Sequence, residues 1–246
     1  TPLYRAVERR YLRTVDAAVC NSTVTRATVT DAGGPDHDRT LVAPPAGDRF
    51  EPDIDPETIT ERAHRGPLRV AFVGNVEPRK GLDTLVDGLA EVDEPWELTV
   101  VGRATEPSYV RTVENRIAAS GAGDRITLRG RLSDADLAAV LRESHVLAIP
   151  SRYEGFGIAY LEGMGFGLPA VASTAGGASD LVTPGETGAL VSPDDSAGVT
   201  RVLGAFARDR DRLARMGRAA RERYEAHPDW TATVADVRAF LREVAE

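Results

Sequence analysis

Residues 68–82 read LRVAFVGNVEPRKGL, and their order decides the fold. Leu68 to Val73 is an apolar run of strand length broken only by Arg69, the mark of a strand covered on both faces. Gly74 ends it, a short loop carries Asn75, Arg79 and Lys80, and Leu82 to Leu89 continues at helical spacing. The rhythm repeats downstream. Strands are expected at Trp96–Val101, Ile126–Leu128, Val146–Ile149, Ala170–Ala172 and Ala189–Val191. Helices are expected at Ser108–Ser120, Asp134–Arg142 and Ala159–Phe166, with a short helical turn near Ser179–Val182. Alternation of this kind predicts an α/β fold, a Rossmann-like parallel sheet with helices on both faces.

Outward from that core the pattern changes. After Pro193 the chain reads as all helix, over 197–207, 212–224 and 231–244. Toward the start, a charged helix over 3–13 precedes a short strand at Ala17–Cys20. A helix capped by Asn21 or Ser22 follows and ends at Gly33-Gly34, and a second short strand lies at Thr40–Ala43. Pro44, Pro45, Pro52, Pro56 and Pro67 stand among many acids, so 46–66 reads as a linker. The expected divisions are therefore 1–45, 46–66, 67–207 and 208–246.

Composition narrows the classes. Of 246 residues, 42% are hydrophobic and 28% charged, which excludes a disordered or fibrous chain. One cysteine, Cys20, excludes an internal disulfide and a cysteine-cluster metal site. No apolar run approaches the roughly 18 residues of a membrane span. Thr1 to Arg13 has no apolar signal core, so a cytoplasmic place is expected. A net charge of −8 argues against nucleic acid as a partner. Lys and Arg total 30, yet Lys80 is the sole lysine. The chain opens on Thr1 rather than Met, and is read as processed or as a fragment.

In a parallel sheet, ligands sit at the carboxyl ends of the strands. The loop after Val73 brings Arg79 and Lys80 to the start of a helix, where cations oppose the helix dipole unless they face an anion that the helix amides also face. That describes a phosphate site. The loop after Ile149 runs Pro150-Ser151-Arg152-Tyr153-Glu154-Gly155-Phe156-Gly157-Ile158 into a helix carrying Glu162. Its Gly-x-Gly turn presents backbone amides to an anion. Glu154 and Glu162 cannot both bind phosphate, but carboxylates accept strongly from hydroxyls. Phosphate in the middle and hydroxyls at both ends describe a nucleotide sugar. A third loop, Ser173 to Ala178, stands at a further strand end.

These residues resemble family 4 of the retaining glycosyltransferases. Phe72 to Leu82 is similar to the family's phosphate loop, and Glu154 to Glu162 to its paired-glutamate motif. Asp16 to Ser22 resembles the end of its first domain, and Met216 to Tyr224 with Trp230 its closing helices. The resemblance implies the GT-B architecture, two Rossmann-like domains across a cleft, of which this chain carries mainly the second. It then implies that 1–45 is a remnant of an acceptor domain, 67–207 binds the donor, and 208–246 returns to the first domain.

It also implies roles. Lys80 and Arg79 would hold the donor diphosphate and stabilise the leaving charge. Glu154 would bind the sugar hydroxyls and Glu162 the ribose. Gly74, Asn75, Gly155, Phe156, Gly157 and Ile158 would line the donor, with amides of the last three touching sugar and phosphate, and Arg131 would lie near the base. No metal or other cofactor is implied. The resemblance further implies an acceptor of the glycan, lipid or small-molecule class, and peripheral membrane contact through the first domain.

Asn75 stands where the family usually has arginine. About 45 residues precede the linker, fewer than a first domain needs, so apolar surface on the terminal helices, or self-association that hides it, is expected. His37, His64, His145 and His227 are read as structural. A competing reading is a non-catalytic nucleotide-sugar-binding module served by a separate acceptor-domain chain. An epimerase or a phosphorylase on the same architecture is a third.

Overall fold

The computed structural model describes residues 2–245; Thr1 and Glu246 lie outside them. The chain divides into two compact units, residues 49–226 and residues 1–48 with 227–246.

In the smaller unit, α1 (Pro2–Leu12) leads to β1 (Ala18–Cys20), α2 (Thr23–Asp31) and β2 (Thr40–Val42). Ser22 caps α2, its hydroxyl accepting from the Thr25 amide at 3.0 Å. β1 and β2 pair in parallel. Tyr4, Val7 and Tyr11 form an exposed stripe on α1, as do Trp230, Val234 and Leu241 on α10 (Trp230–Ala245). This is the apolar surface expected on the terminal helices.

The larger unit is built on six strands: β3 (Leu68–Val73), β4 (Trp96–Val101), β5 (Ile126–Leu128), β6 (Val146–Ala148), β7 (Ala170–Ser173) and β8 (Gly188–Val191). Their order is β5-β4-β3-β6-β7-β8 and every pairing is parallel. Chain direction across the sheet reverses between β3 and β6, the switch point of a doubly wound fold. Leu68, Val70 and Phe72 on β3 and Val146 and Leu147 on β6 are fully buried. The connecting helices are α4 (Leu82–Ala90), α5 (Pro107–Ser120), α6 (Asp134–Glu143), α7 (Ile158–Gly165) and α8 (Ser196–Arg208). The expected parallel α/β sheet is the observed one.

Two expectations outside the sheet change. The 46–66 stretch is not simply a linker, because it contains α3 (Pro56–Ala63). Asp55 caps that helix by accepting from the Thr58 amide at 2.7 Å, and Pro56 opens it. Its inner face buries Ile59, Arg62 and Ala63. The Arg62 guanidinium donates to the carbonyls of Arg142, Phe166 and Gly167 at 2.8–3.0 Å, at the carboxyl ends of α6 and α7. A cation there meets the negative ends of both helix dipoles. Second, α9 (Arg210–Glu225) packs on α3 and α7 inside the larger unit, and only α10 belongs to the smaller one. Leu213, Ala214, Met216, Gly217 and Ala220 make its buried face.

Candidate functional site

The loops after β3 and β6 rise side by side, because those strands are neighbours at the switch point. After Gly74, residues 78–80 make a single 3-10 turn and Gly81 takes a left-handed conformation, φ +67°, before α4 begins. Arg79 and Lys80 thus precede the helix rather than open it. Gly81 is required twice over, since a Cβ there would also stand 2.2 Å from the Pro150 carbonyl oxygen. That close approach seats the first loop against the second. The Arg152 amide completes the seating by donating to the Arg79 carbonyl at 2.7 Å.

Lys80 Nζ lies 2.5 Å from Glu154 Oε2, and both side chains are 13% exposed. Arg79 Nη1 is 3.9 Å from the same oxygen, while its Nη2 pairs with Glu77 at 2.8 Å. The structure therefore brings Lys80, Arg79 and Glu154 together. Glu154 is held from behind by the third loop: its amide donates to the Ala175 carbonyl at 3.1 Å and its carbonyl accepts from the Gly177 amide at 2.8 Å. A Cβ on Gly176 would stand 1.9 Å from that Glu154 carbonyl oxygen.

Gly155, Phe156 and Gly157 lead into α7, with Phe156 buried and Ile158 exposed at the helix start. The first amides of a helix have no acceptor within it, so this end presents donors and the positive end of a dipole. Beneath the turn, the buried Tyr160 hydroxyl donates to the Ile149 carbonyl at 2.5 Å. Burial, followed by the charge of Glu154, pushes that hydroxyl's pKa up.

Glu162, one turn into α7, is buried, and burial raises its carboxyl above the ordinary range, against the pull of Arg49. Arg49 Nη1 is 3.8 Å from Glu162 Oε1 and its Nη2 is 2.5 Å from Asp134. Hydrogen bonding from Arg49, aided by the charges of Arg49 and Arg131, holds the exposed Asp134 carboxyl below its usual range. Arg131 lies three residues before Asp134, in the loop between β5 and α6. Gly74 ends β3, and Asn75 is exposed beside it. Among the described residues, no group of three or more His, Cys, Asp and Glu is placed to hold a metal ion.

Four further residues belong to this site and carry no local sequence signal. Arg49 sits in the proline-rich stretch. The buried Asp83 and Tyr109 form a network with the partly exposed Arg152. The Tyr109 hydroxyl donates to Asp83 Oδ1 at 2.7 Å, and Arg152 Nη2 donates to Asp83 Oδ2 at 2.9 Å. Arg152 also donates to the Pro78 carbonyl and to Asp194. One guanidinium therefore ties the second loop to the first and to the start of α4.

A family model described as glycosyl transferases group 1 matches residues 56–223. The chain belongs to that family. It is 32% identical, over an alignment 257 positions long, to a GDP-mannose-dependent alpha-(1-6)-phosphatidylinositol monomannoside mannosyltransferase of Mycobacterium tuberculosis, covering 98% of this chain and 65% of that protein. It is 32% identical to a D-inositol 3-phosphate glycosyltransferase of Nocardia farcinica, covering 88% of this chain and 50% of that one. The chain thus spans about half to two thirds of the length of these relatives. HepE from Anabaena, solved in complex with UDP, shares the fold with a TM-score of 0.86 at 22% identity, covering 99% of this chain and 70% of that one. Group 1 membership agrees with the resemblance read from the paired glutamates and the phosphate loop.

Proposed function

We propose that this chain carries the donor-binding part of a glycosyltransferase that moves a sugar from a nucleotide sugar to an acceptor with retention of anomeric configuration. The observation that carries the reading is the meeting of Lys80, Arg79 and Glu154 at the switch point, beside the start of α7. Two cations and helix amides suit a diphosphate. A partly buried carboxylate next to them suits the hydroxyls of the sugar attached to it. Glu162, eight residues further on and buried, suits the ribose hydroxyls.

Chemically, the nucleoside diphosphate leaves on the face that the acceptor attacks. Lys80 and Arg79 stabilise the charge on the departing diphosphate, and Glu154 orients the sugar. No metal is needed, since the two cations supply the charge, and donor binding is expected to persist in EDTA. The chain works in the cytoplasm and meets a glycan, lipid or small-molecule acceptor through residues beyond the donor site. Residues 1–45 then belong to the acceptor side. The exposed stripes on α1 and α10 suit self-association of the chain.

The test is calorimetric titration with UDP, GDP and ADP and with UDP-glucose, GDP-mannose and ADP-glucose. GDP-mannose comes first because the mycobacterial relative is GDP-mannose-dependent. One nucleotide series should bind, and Lys80→Ala and Glu162→Ala should each weaken it at least tenfold. Binding that survives both substitutions overturns the reading.

A further inference from the structure

Glu154 holds the ammonium that a donor phosphate would have to take. The ammonium lies 2.5 Å from Glu154 Oε2, and Arg79, at 3.9 Å, adds a second positive charge to the same oxygen. The Glu154 backbone cannot withdraw, so its carboxylate stays within side-chain reach of Lys80. Its backbone is fixed on both sides by Ala175 and Gly177, and Gly176 packs against it too closely for any side chain. Lys80 is likewise held at its backbone, its amide donating to the Glu77 carbonyl at 3.0 Å. A phosphate that takes the ammonium therefore settles within reach of the Glu154 side chain. At that range, in a half-buried site, like charges repel strongly.

The two ligand forms differ at this point. In a nucleotide sugar the outer phosphate is substituted twice, by the inner phosphate and by the sugar, and the sugar hydroxyls donate to the carboxylate that lost its cation. In a bare nucleoside diphosphate the outer phosphate ends in free oxygens and carries about one further negative charge near neutral pH. It offers Glu154 no donor. We propose that Glu154 is a selector that weakens binding of the sugarless nucleoside diphosphate relative to the sugar-bearing one, and so drives the diphosphate out of the site after transfer. The proposal rests on the donor-site reading above and adds a discrimination that the reading does not contain.

The experiment compares wild type with Glu154→Gln, which keeps shape and removes charge, in titrations with UDP, GDP and ADP and with UDP-glucose, GDP-mannose and ADP-glucose. For the nucleotide that binds, Glu154→Gln should bind the bare diphosphate about five- to tenfold more tightly and the sugar conjugate more weakly. Glu154→Ala should show the same opposite movement, and thermal melts confirm that both variants fold. Wild-type binding with an unchanged or weakened diphosphate affinity in Glu154→Gln overturns the selector and leaves the donor site standing. No binding of any of the six ligands by wild type overturns both.

Discussion

Lys80 Nζ and Glu154 Oε2 lie 2.5 Å apart although 74 residues separate them along the chain. The pair joins the loops at the ends of the two strands that flank the switch point, so it serves the shape of the site as well as its charge. With both side chains 13% exposed, neither ion is fully solvated. Removing one leaves the other under-compensated, whereas removing both does not. Lys80→Met is expected to lower stability by about 1–2 kcal/mol, and the double change Lys80→Met with Glu154→Gln to cost less than the sum of the singles. Urea unfolding of the four proteins measures this. Strict additivity would mean that the two groups are not coupled in solution.

The seating of the loops rests on Gly81. Any other residue must adopt φ +67° and push aside the Pro150 carbonyl, which is backbone and cannot rotate away. Gly81→Ala is expected to cost about 2–4 kcal/mol and to displace Lys80. Urea midpoints and nucleotide titration should therefore fall together. A variant with native stability would show that the two loops are not in contact at this point.

Asp83 is a buried acid whose carboxyl is nonetheless held below its ordinary range. Burial pushes it up, but hydrogen bonds from Tyr109 and Arg152 and the charge of Arg152 outweigh that push. The sign follows. The folded state keeps the carboxylate at a pH where the unfolded chain has taken a proton. The stabilisation is complete above the unfolded value, about 3.9, and is lost as pH falls through the lower folded value. Asp83→Asn should cost about 1–3 kcal/mol at pH 7, and the gap from wild type should narrow below about pH 4. Urea midpoints from pH 7 to pH 3 test it, and a constant gap across that range would count against the network.

The sheet was legible because covered parallel strands are continuous apolar runs. Leu68 to Val73 and Val146 to Ile149 need no partner to be recognised. The cation loop and Glu154 were legible because each follows a strand end by fewer than ten residues, and Glu162 because it stands eight residues after Glu154, one turn into the helix that the loop opens. The 56–63 helix was obscured by proline and acid content that looked like linker, although Asp55 before Pro56 is a helix-start signal in its own right. Arg62 carries no local signal in the sequence, since its partners are carbonyls 80 and more residues away. Arg49 and the Asp83–Tyr109–Arg152 network depend on tertiary proximity, which no spacing along the chain encodes.

His145, buried just before β6, shows the opposite end of the sheet to be electropositive. Its Nδ1 accepts from the Arg69 amide at 3.0 Å, and Arg69 and Arg210 side chains stand 3.3 and 3.4 Å from its ring nitrogens. Burial first, then Arg69, Arg210 and Arg62, lower its pKa to about 3. The nearby Glu143 is 3.8 Å from Arg69 and offsets only part of that field. The folded protein therefore keeps this ring neutral where the unfolded chain, with a value near 6.5, takes a proton. Stability should be undiminished above about pH 6.5 and fall between there and about pH 3, with this one group contributing a slope of up to about 1.4 kcal/mol per pH unit. His145→Gln keeps an acceptor for the Arg69 amide and removes the titration. Its stability should be lower than that of wild type at pH 7 but flatter toward pH 4, read from urea midpoints at half-unit steps. Parallel curves would mean that His145 takes up its proton in the folded state as readily as in the unfolded one, and that the three arginines do not surround it as described.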